Sequence, residues 1–490
     1  MNLTKTKYCN GLQCKKMLWL DEHKPEVKEE KDVSSLMEQG NLVHEIARYL
    51  FGEHINIKYT DNLKEMIKDT YHTIESYKEV IITEASFNYN SNFCSVDILI
   101  KKNDNYEIYE VKSSSDLKDV YINDASYQYY VLTNLGLNVV KCNIVTLNRE
   151  YERIGNIELD KLFKTHDITN TVIELQSHVK ENIEEINKYM NNELEQDMEI
   201  DEYCFKPYFC PFFKYCIRHL EHPNVFDITQ EPGITALKLY KNGYVSFKDL
   251  LDVKLSNKYR QRIEFEIYDK KDYIDKYNIK KYLKTLSYPL YFLDFETYQM
   301  PIPIYEHLHP YEKIPFQYSL HYYEKEGSEL KHTEYLGIPG FDPRRKLAEQ
   351  LIHDIPKNVC TLAYNMSFEK SVIMRLANIY PDLKEHLMNI HDHIKDLEDP
   401  FSKRYYYSKS MVGSSSIKKV LPSLFPNDPS LNYHNLDLIH NGNEAMDSFA
   451  RMGNMDGEEL KYTRERLLKY CELDTYAMVK IYEKLLEVTK

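Results

Sequence analysis

Apolar residues recur at intervals that divide the chain into strands and helices. Leu290, Tyr291, Phe292, Leu293 and Phe295 form a short, nearly continuous apolar run, the pattern of a buried strand. Asp294 and Glu296 interrupt it two positions apart, and alternation along a strand turns both to one face. Residues 361–373 predict a strand that passes into a helix, with Asn365 and Glu369 at the turn. Helical spacing of apolar residues over 466–482 predicts one long helix, on which Tyr470 and Asp474, four apart, share a face. Earlier, residues 79–113 alternate as a three-strand meander broken near Asn90-Ser91-Asn92 and Asn103-Asp104-Asn105. An amphipathic helix is expected over 34–51, and another helix over 124–132, after the meander.

Composition narrows the classes. A chain of 490 residues is long enough for roughly three domains with their own cores. The balance of 77 acidic against 63 basic residues, net −14, argues against coating duplex DNA through a broad basic field. The N-terminal stretch Met1–Thr6 has no apolar core, and no long apolar run follows, so a cytoplasmic protein with no membrane partner is expected. No GxxxxGK[ST] loop is present, which predicts ATP-independent chemistry, with any helicase on another chain. The 43 tyrosines accompany abundant Lys, Asn and Ile, as codon bias would produce, and carry no weight as a base-stacking surface.

Two carboxylates side by side on a buried strand are costly unless a cation lies between them. Asp294 and Glu296 therefore call for a divalent metal and for further acidic ligands downstream, which Glu369 and Asp474 can supply. The ordered set Asp294-x-Glu296, Asn365-x-x-Phe368-Glu369 and Tyr470-x-x-x-Asp474 resembles the DEDDy branch of the DnaQ-like 3′–5′ exonucleases. That resemblance implies an RNase H-like domain, with metal ligands Asp294, Glu296, Glu369 and Asp474 and Tyr470 as the catalytic tyrosine. Glu369 stands where the family usually has Asp, and Asp396 is the other candidate for that position. Lys118, Lys418 and Lys419 are possible phosphate contacts, although the Ser-rich loop before Lys418 could equally be a helix N-cap.

Asp97 lies in the second predicted strand of the meander, and Glu110-Val-Lys112 ends the third. Asp97, Glu110 and Lys112 resemble the PD-(D/E)XK nuclease motif, in which two carboxylates hold a metal and a lysine acts on the attacking water or the phosphorane charge. Gly40-x-x-x-His44 resembles the helix of RecB-like members that lends a histidine to the metal. Glu84 is an additional acidic candidate. Gln128 fits the RecB-like Gln-x-x-x-Tyr pair, but its fourth neighbour is Leu132, leaving Tyr129 or Tyr130 as stand-ins.

Nine cysteines in a reducing compartment favour metal binding over disulfides. Cys204-x5-Cys210-x5-Cys216, with Cys14 far upstream, brackets the RecB-like core and resembles the iron–sulfur nucleases, among them CRISPR-associated RecB-like exonucleases. The resemblance implies a 4Fe-4S cluster; a structural Zn²⁺ would use the same four ligands. Cys9, Cys94, Cys142, Cys360 and Cys471 are scattered and expected to be small buried hydrophobes. Residues 227–286 read as polar and helical, and 231–250 as two short helices around a Gly-containing turn. This resembles a helix–hairpin–helix element; an inert spacer is the alternative.

Over nearly its whole length the chain resembles prokaryotic fusions of a RecB-like nuclease with a DnaQ-like exonuclease. The implied fold class is α/β, with a restriction-endonuclease-like core in 1–222, a small helical linker in 223–286 and an RNase H-like mixed sheet in 287–490. The implied function is Mg²⁺- or Mn²⁺-dependent hydrolysis of DNA, with RNA as an alternative substrate, in repair, end processing or defence. A helicase or CRISPR-type partner is possible on this reading.

Overall fold

The computed structural model describes residues 3–30, 34–229 and 231–490. It divides into two compact mixed α/β units, Met1–Leu220 with Met300–Glu312, and Glu221–Gln299 with Lys313–Lys490. Residues 223–286, expected to stand apart as a linker, are thus part of the second unit. The Met300–Glu312 segment belongs to the first unit for evident reasons. Ile302 is buried in a cluster with Val111, Val145 and Leu147. Arg153 Nη1 donates to the carbonyls of Pro303 (3.1 Å) and Ile304 (2.6 Å).

The first unit is built on a seven-stranded sheet comprising β1 (Leu3–Thr4), β2 (Ile55–Asn56), β3 (Glu79–Tyr89), β4 (Asn92–Lys102), β5 (Asn105–Lys112), β6 (Asn138–Leu147) and β7 (Phe163–Asp167). Its order is β2-β3-β4-β5-β6-β7, with β1 pairing to β4. The meander appears as β3, β4 and β5, antiparallel in turn. Asn90 (φ 48°) and Ser91 (φ 66°) form the first turn, both left-handed as a two-residue hairpin that matches strand twist requires. The helix Asp119–Asn134 then crosses over to β6, parallel to β5. Leu99, Ile108, Val131 and Leu132 join one core, and Val43, Ile98, Val111 and Val145 another, so both faces of the sheet are buried.

The second unit contains a small two-stranded ladder, β8 (Asp272–Ile274) with β14 (Tyr406–Ser408), and a five-stranded sheet. The latter comprises β9 (Leu290–Gln299), β10 (Lys313–Tyr323), β11 (Lys331–Leu336), β12 (Cys360–Ala363) and β13 (Ile394–Asp396), in the order β11-β10-β9-β12-β13. β10 is antiparallel to both its neighbours, whereas β9, β12 and β13 run parallel. The apolar run that marked β9 is explained by its central position, buried on both faces. Leu293 and Phe295 join a core with Leu347, Leu351 and Leu376 from the helices Arg344–Asp354 and Ser367–Ile379. Phe292 faces the other way, onto Tyr482 of the long C-terminal helix Gly457–Thr489.

Only the first of the two helices expected in 231–250 forms, as Ile234–Lys241. The second half is a series of turns, because the Asp249 carboxylate accepts the N–H groups of Val245 (3.0 Å) and Ser246 (2.7 Å). Such local side-chain bonds compete with helix formation. Among the described residues no helix is long and apolar enough to cross a membrane.

Candidate functional sites

In the second unit, β9 turns Asp294 and Glu296 toward the C-terminal helix, where Asp474 meets them. One carboxylate oxygen from each lies within 4.8 Å of the other two. Glu369, in the first turn of the Ser367–Ile379 helix, is 2% exposed, and its Oε2 has no hydrogen-bond partner. Burial, then repulsion from Asp474, Glu296 and Glu369, holds Asp294 well above the ordinary carboxylate range. Glu296 is raised likewise by burial and Asp474. Burial pushes Glu369 up to about 8. Asp474 is raised only to about 6, because Tyr433, Lys418 and Tyr470 offset part of the burial.

Tyr470 is buried beside Asp474, as their spacing on the helix predicts. Tyr433 was not marked by the sequence. Its hydroxyl donates to Asp474 Oδ1 at 2.6 Å, from a short 3-10 turn in an irregular segment without any periodic signal. The Lys418 ammonium lies 5.8 Å from the centre of the Tyr433 ring. Lys418 and Lys419 line a cleft of about 1070 Å³ with Tyr433, His440 and Asn441. Ser416 does occupy an N-cap position before Lys418, but its side chain makes no capping bond.

Asp396, the alternative to Glu369, is otherwise engaged. Its carboxylate accepts the N–H groups of Asn365 (3.0 Å), Met366 (3.2 Å) and Glu398 (2.9 Å). It fixes the turn, left-handed at Asn365 (φ 64°), that presents Glu369. Glu369 is the one of the two whose charge acts on Asp294 and Glu296, although it is not among the three acids whose oxygens lie within 4.8 Å of one another.

In the first unit, Glu110 and Lys112 alternate onto the sheet face covered by the helix Asp119–Asn134. Lys112 Nζ donates to Glu110 Oε1 at 2.6 Å and also to Asp124. Gln128 Nε2 donates to Glu110 Oε2 at 2.6 Å. Asp97 accepts the Val111 N–H at 2.7 Å on Oδ2, and its Oδ1 lies 3.7 Å from His44 Nδ1. His44, Glu84 and Asp97 each offer a ligand atom within 4.8 Å of the other two. Glu84 sits in β3 with φ 58°, where the β3–β4 ladder is interrupted between Thr83↔Ile98 and Ala85↔Val96. A left-handed non-glycine residue inside a strand is costly, and such strain collects at functional sites.

Two residues here escaped sequence reasoning. Lys5, at the start of the Lys5–Gln13 helix, reaches Glu110 Oε1 at 2.9 Å and Asp97 Oδ1 at 3.6 Å. Nothing in its neighbourhood marks it, because the partners lie about a hundred positions away. Asp124 did carry a signal, standing four residues before Gln128 on one helix face. Burial opposes the charge on Asp97, yet Lys5, His44, Lys112 and the Val111 N–H hold it below the usual carboxylate range. Glu110 is lowered too: burial and Asp97 oppose its charge, and Lys112 and Lys5 outweigh them. The stand-in tyrosines do not reach this site: the Tyr130 ring meets Tyr89, Tyr129 packs on the core and Leu132 is within it. Lys118 shares the Tyr121 ring with Lys112, at 5.7 and 5.4 Å.

Also in the first unit, Cys14, Cys204, Cys210 and Cys216 line one pocket with Met17, Met198, Phe212 and Phe213. Cys14 caps the Lys15–His23 helix, its Sγ accepting the Met17 N–H at 3.4 Å. Burial raises all four thiols, and neighbouring cysteines of the set add to this for Cys204, Cys210 and Cys216. A cation that favours thiolates relieves that penalty, so the donor set fits either a 4Fe-4S cluster or Zn²⁺. Cys94, Cys142, Cys360 and Cys471 are buried as expected, whereas Cys9 is only partly buried and the Cys471 thiol lies 3.9 Å from Asp294 Oδ2.

Residues 291–416 match the model of a domain of unknown function, DUF2779. The match starts on the strand carrying Asp294 and Glu296 and ends before Tyr470 and Asp474. An uncharacterized protein of Mycoplasma genitalium is 24% identical over 394 residues, covering 72% of this chain and 58% of the relative. The chain therefore spans well under two thirds of that relative's length. No solved structure matches.

Proposed function

We propose that the chain is a metal-dependent nuclease that hydrolyses phosphodiester bonds of DNA and removes nucleotides from 3′ ends at the cluster in its second unit. The observation that carries this reading is the convergence of Asp294, Glu296 and Asp474, whose oxygens lie within 4.8 Å of one another, with the charge of buried Glu369 acting on Asp294 and Glu296. Asp294, Glu296, Glu369 and Asp474 would hold Mg²⁺ or Mn²⁺, which supplies Lewis-acid stabilisation of the attacking and leaving oxygens. Tyr433 fixes the Asp474 carboxylate, Tyr470 stands beside it to orient water, and Lys418 and Lys419 attract the phosphate backbone into the adjoining cleft. The mixed sheet with the Asp-x-Glu strand at its centre supports the DnaQ-like part of the resemblance.

The first unit supports a second nuclease site of the PD-(D/E)XK type. Asp97 and Glu110 would hold the metal, assisted by His44, with Lys112 directed at the developing phosphate charge. The four cysteines would hold a 4Fe-4S cluster that joins the two ends of this unit. The test is digestion of end-labelled single-stranded DNA by the full chain with Mn²⁺. Release of mononucleotides from the 3′ end, lost in Asp294→Ala and with EDTA, is the expected result. Digestion by Asp294→Ala equal to wild type, or no digestion by either, overturns the proposal for the second unit. In the Asp294→Ala background, cleavage that disappears with Lys112→Ala would assign the remainder to the first unit.

A further inference from the structure

Beside the acidic cluster, where Ser319 of β10 pairs with Asp294 of β9, the second unit carries a group of different chemistry. β10 and β11 place His321 directly opposite His332, and Ser319 opposite Glu334. All four side chains therefore share one sheet face, over which the C-terminal helix lays Glu472 and Thr475. The two imidazole rings lie 4.4 Å apart between centroids. His321, His332 and Glu472 each offer a ligand atom within 4.8 Å of the other two. Glu334 Oε2 lies 4.0 Å from His332 Nε2, is buried and has no hydrogen-bond partner.

We propose that His321, His332 and Glu472, with Glu334 as a fourth donor, form a binding site for a divalent transition cation of the zinc class that clasps the C-terminal helix to the β10–β11 hairpin. Paired imidazoles with carboxylate select zinc, cobalt or nickel over Mg²⁺, which prefers an all-oxygen shell. The groups behind them suit this role. Thr475 Oγ1 lies 2.8 Å from His321 Nδ1, and Ser319 Oγ lies 2.7 Å from Thr475 Oγ1 and 2.9 Å from His332 Nε2, so a hydroxyl holds one nitrogen of each ring and the other nitrogen is the donor to the cation. Hydroxyls placed this way fix ring orientation around metals. A purely hydrogen-bonded network accounts for Ser319, Thr475, His321 Nδ1 and His332 Nε2, but it leaves the buried Glu334 oxygen without a partner. Glu472 lies between Tyr470 and Asp474 on the same helix, so the clasp holds the turn that bears both. The site is independent of the nuclease reading.

The test is titration of the full chain with Co²⁺, comparing wild type with His332→Gln and, because a strand substitution can disturb folding, with Glu472→Gln at an exposed helix position. Imidazole–carboxylate ligation gives visible bands without the thiolate charge-transfer band that cysteine ligation adds. The expected result is loss of about one bound Co²⁺ and of those bands in both variants, with Zn²⁺ raising the melting temperature of wild type more than that of either variant. Equal Co²⁺ stoichiometry and spectra in Glu472→Gln and wild type overturn the proposal.

Discussion

The two acidic clusters solve one electrostatic problem in opposite ways. In the first unit Asp97 and Glu110 are buried, yet their charges are satisfied within the protein by Lys5, Lys112 and a backbone N–H. In the second unit Asp294, Glu296, Glu369 and Asp474 are all raised by burial, although two phenols, the Cys471 thiol, a backbone N–H and the ammonium groups of Lys418 and Lys313 offset part of it. The first cluster stands as a balanced salt-bridge network, and a metal there has to compete with the Lys5 ammonium for the same oxygens. The second carries repulsion that protons or bound cations relieve, so it should bind metal more tightly once its carboxyls ionise. Carboxylate count alone does not distinguish a metal site from a structural network; the local cations do.

The largest effect that tests this contrast is on activity. Asp294→Asn is expected to lower 3′-end hydrolysis on the order of 10³-fold or more, as loss of a preorganised electrostatic group does. Single-turnover assays with saturating Mn²⁺ would measure it, and a loss below tenfold would deny Asp294 its role. Stability should respond with opposite sign in the two units. Glu110→Ala leaves Lys5 and Lys112 without their shared partner and is expected to cost about 3 kcal/mol. Asp294→Asn in EDTA, at a pH high enough to ionise the raised Asp294 carboxyl, removes one of the repelling charges and is expected to stabilise by about 1–2 kcal/mol. Urea denaturation of each variant checks both signs, and destabilisation by Asp294→Asn would show the second cluster to be balanced after all.

Acidity sharpens the same comparison. Carboxylates raised in the folded state bind protons that the unfolded chain, titrating near 4, has already released, so stability falls as pH rises. For metal-free protein this loss should span the interval from about 4 through Asp474 at about 6 to Glu369 at about 8. Asp97 and Glu110 are depressed instead, so their contribution is present above the ordinary carboxylate range and is lost as pH falls through their lowered values. Melting temperatures in EDTA from pH 4 to 8, wild type minus Glu369→Gln, should decline across that interval. A flat difference would mean that Glu369 is not buried among like charges.

The sheets were largely legible because their signal is local. β9 announced itself through apolar residues on both sides of two acids, and the meander through asparagine-rich turns. The candidate acids were legible for the same reason, each sitting at a fixed offset within one element. Lys5 and Tyr433 were not, since a residue that neutralises or orients a site from a distant segment leaves no pattern around itself. The turns at 246–252 were missed because one carboxylate, Asp249, overrides helical spacing. Packing of Met300–Glu312 within the first unit is likewise a long-range result, set by Ile302 and by carbonyls that accept from Arg153.

The smallest effects belong to the groups that temper the second cluster. Tyr433→Phe removes a 2.6 Å hydrogen bond to the Asp474 carboxylate, so kcat should fall about tenfold, the lower range for a bond to a charged group, with KM little changed. Lys418→Ala acts on the cleft rather than on the acids' geometry. It should raise KM a few-fold and lessen the dependence of KM on salt by about one released counterion, leaving kcat near wild type. Measuring KM across a salt series separates the two roles. If Lys418→Ala instead lowers kcat as Tyr433→Phe does, Lys418 serves to balance Glu296 and Asp474, and the second cluster is closer in design to the first than the distances imply.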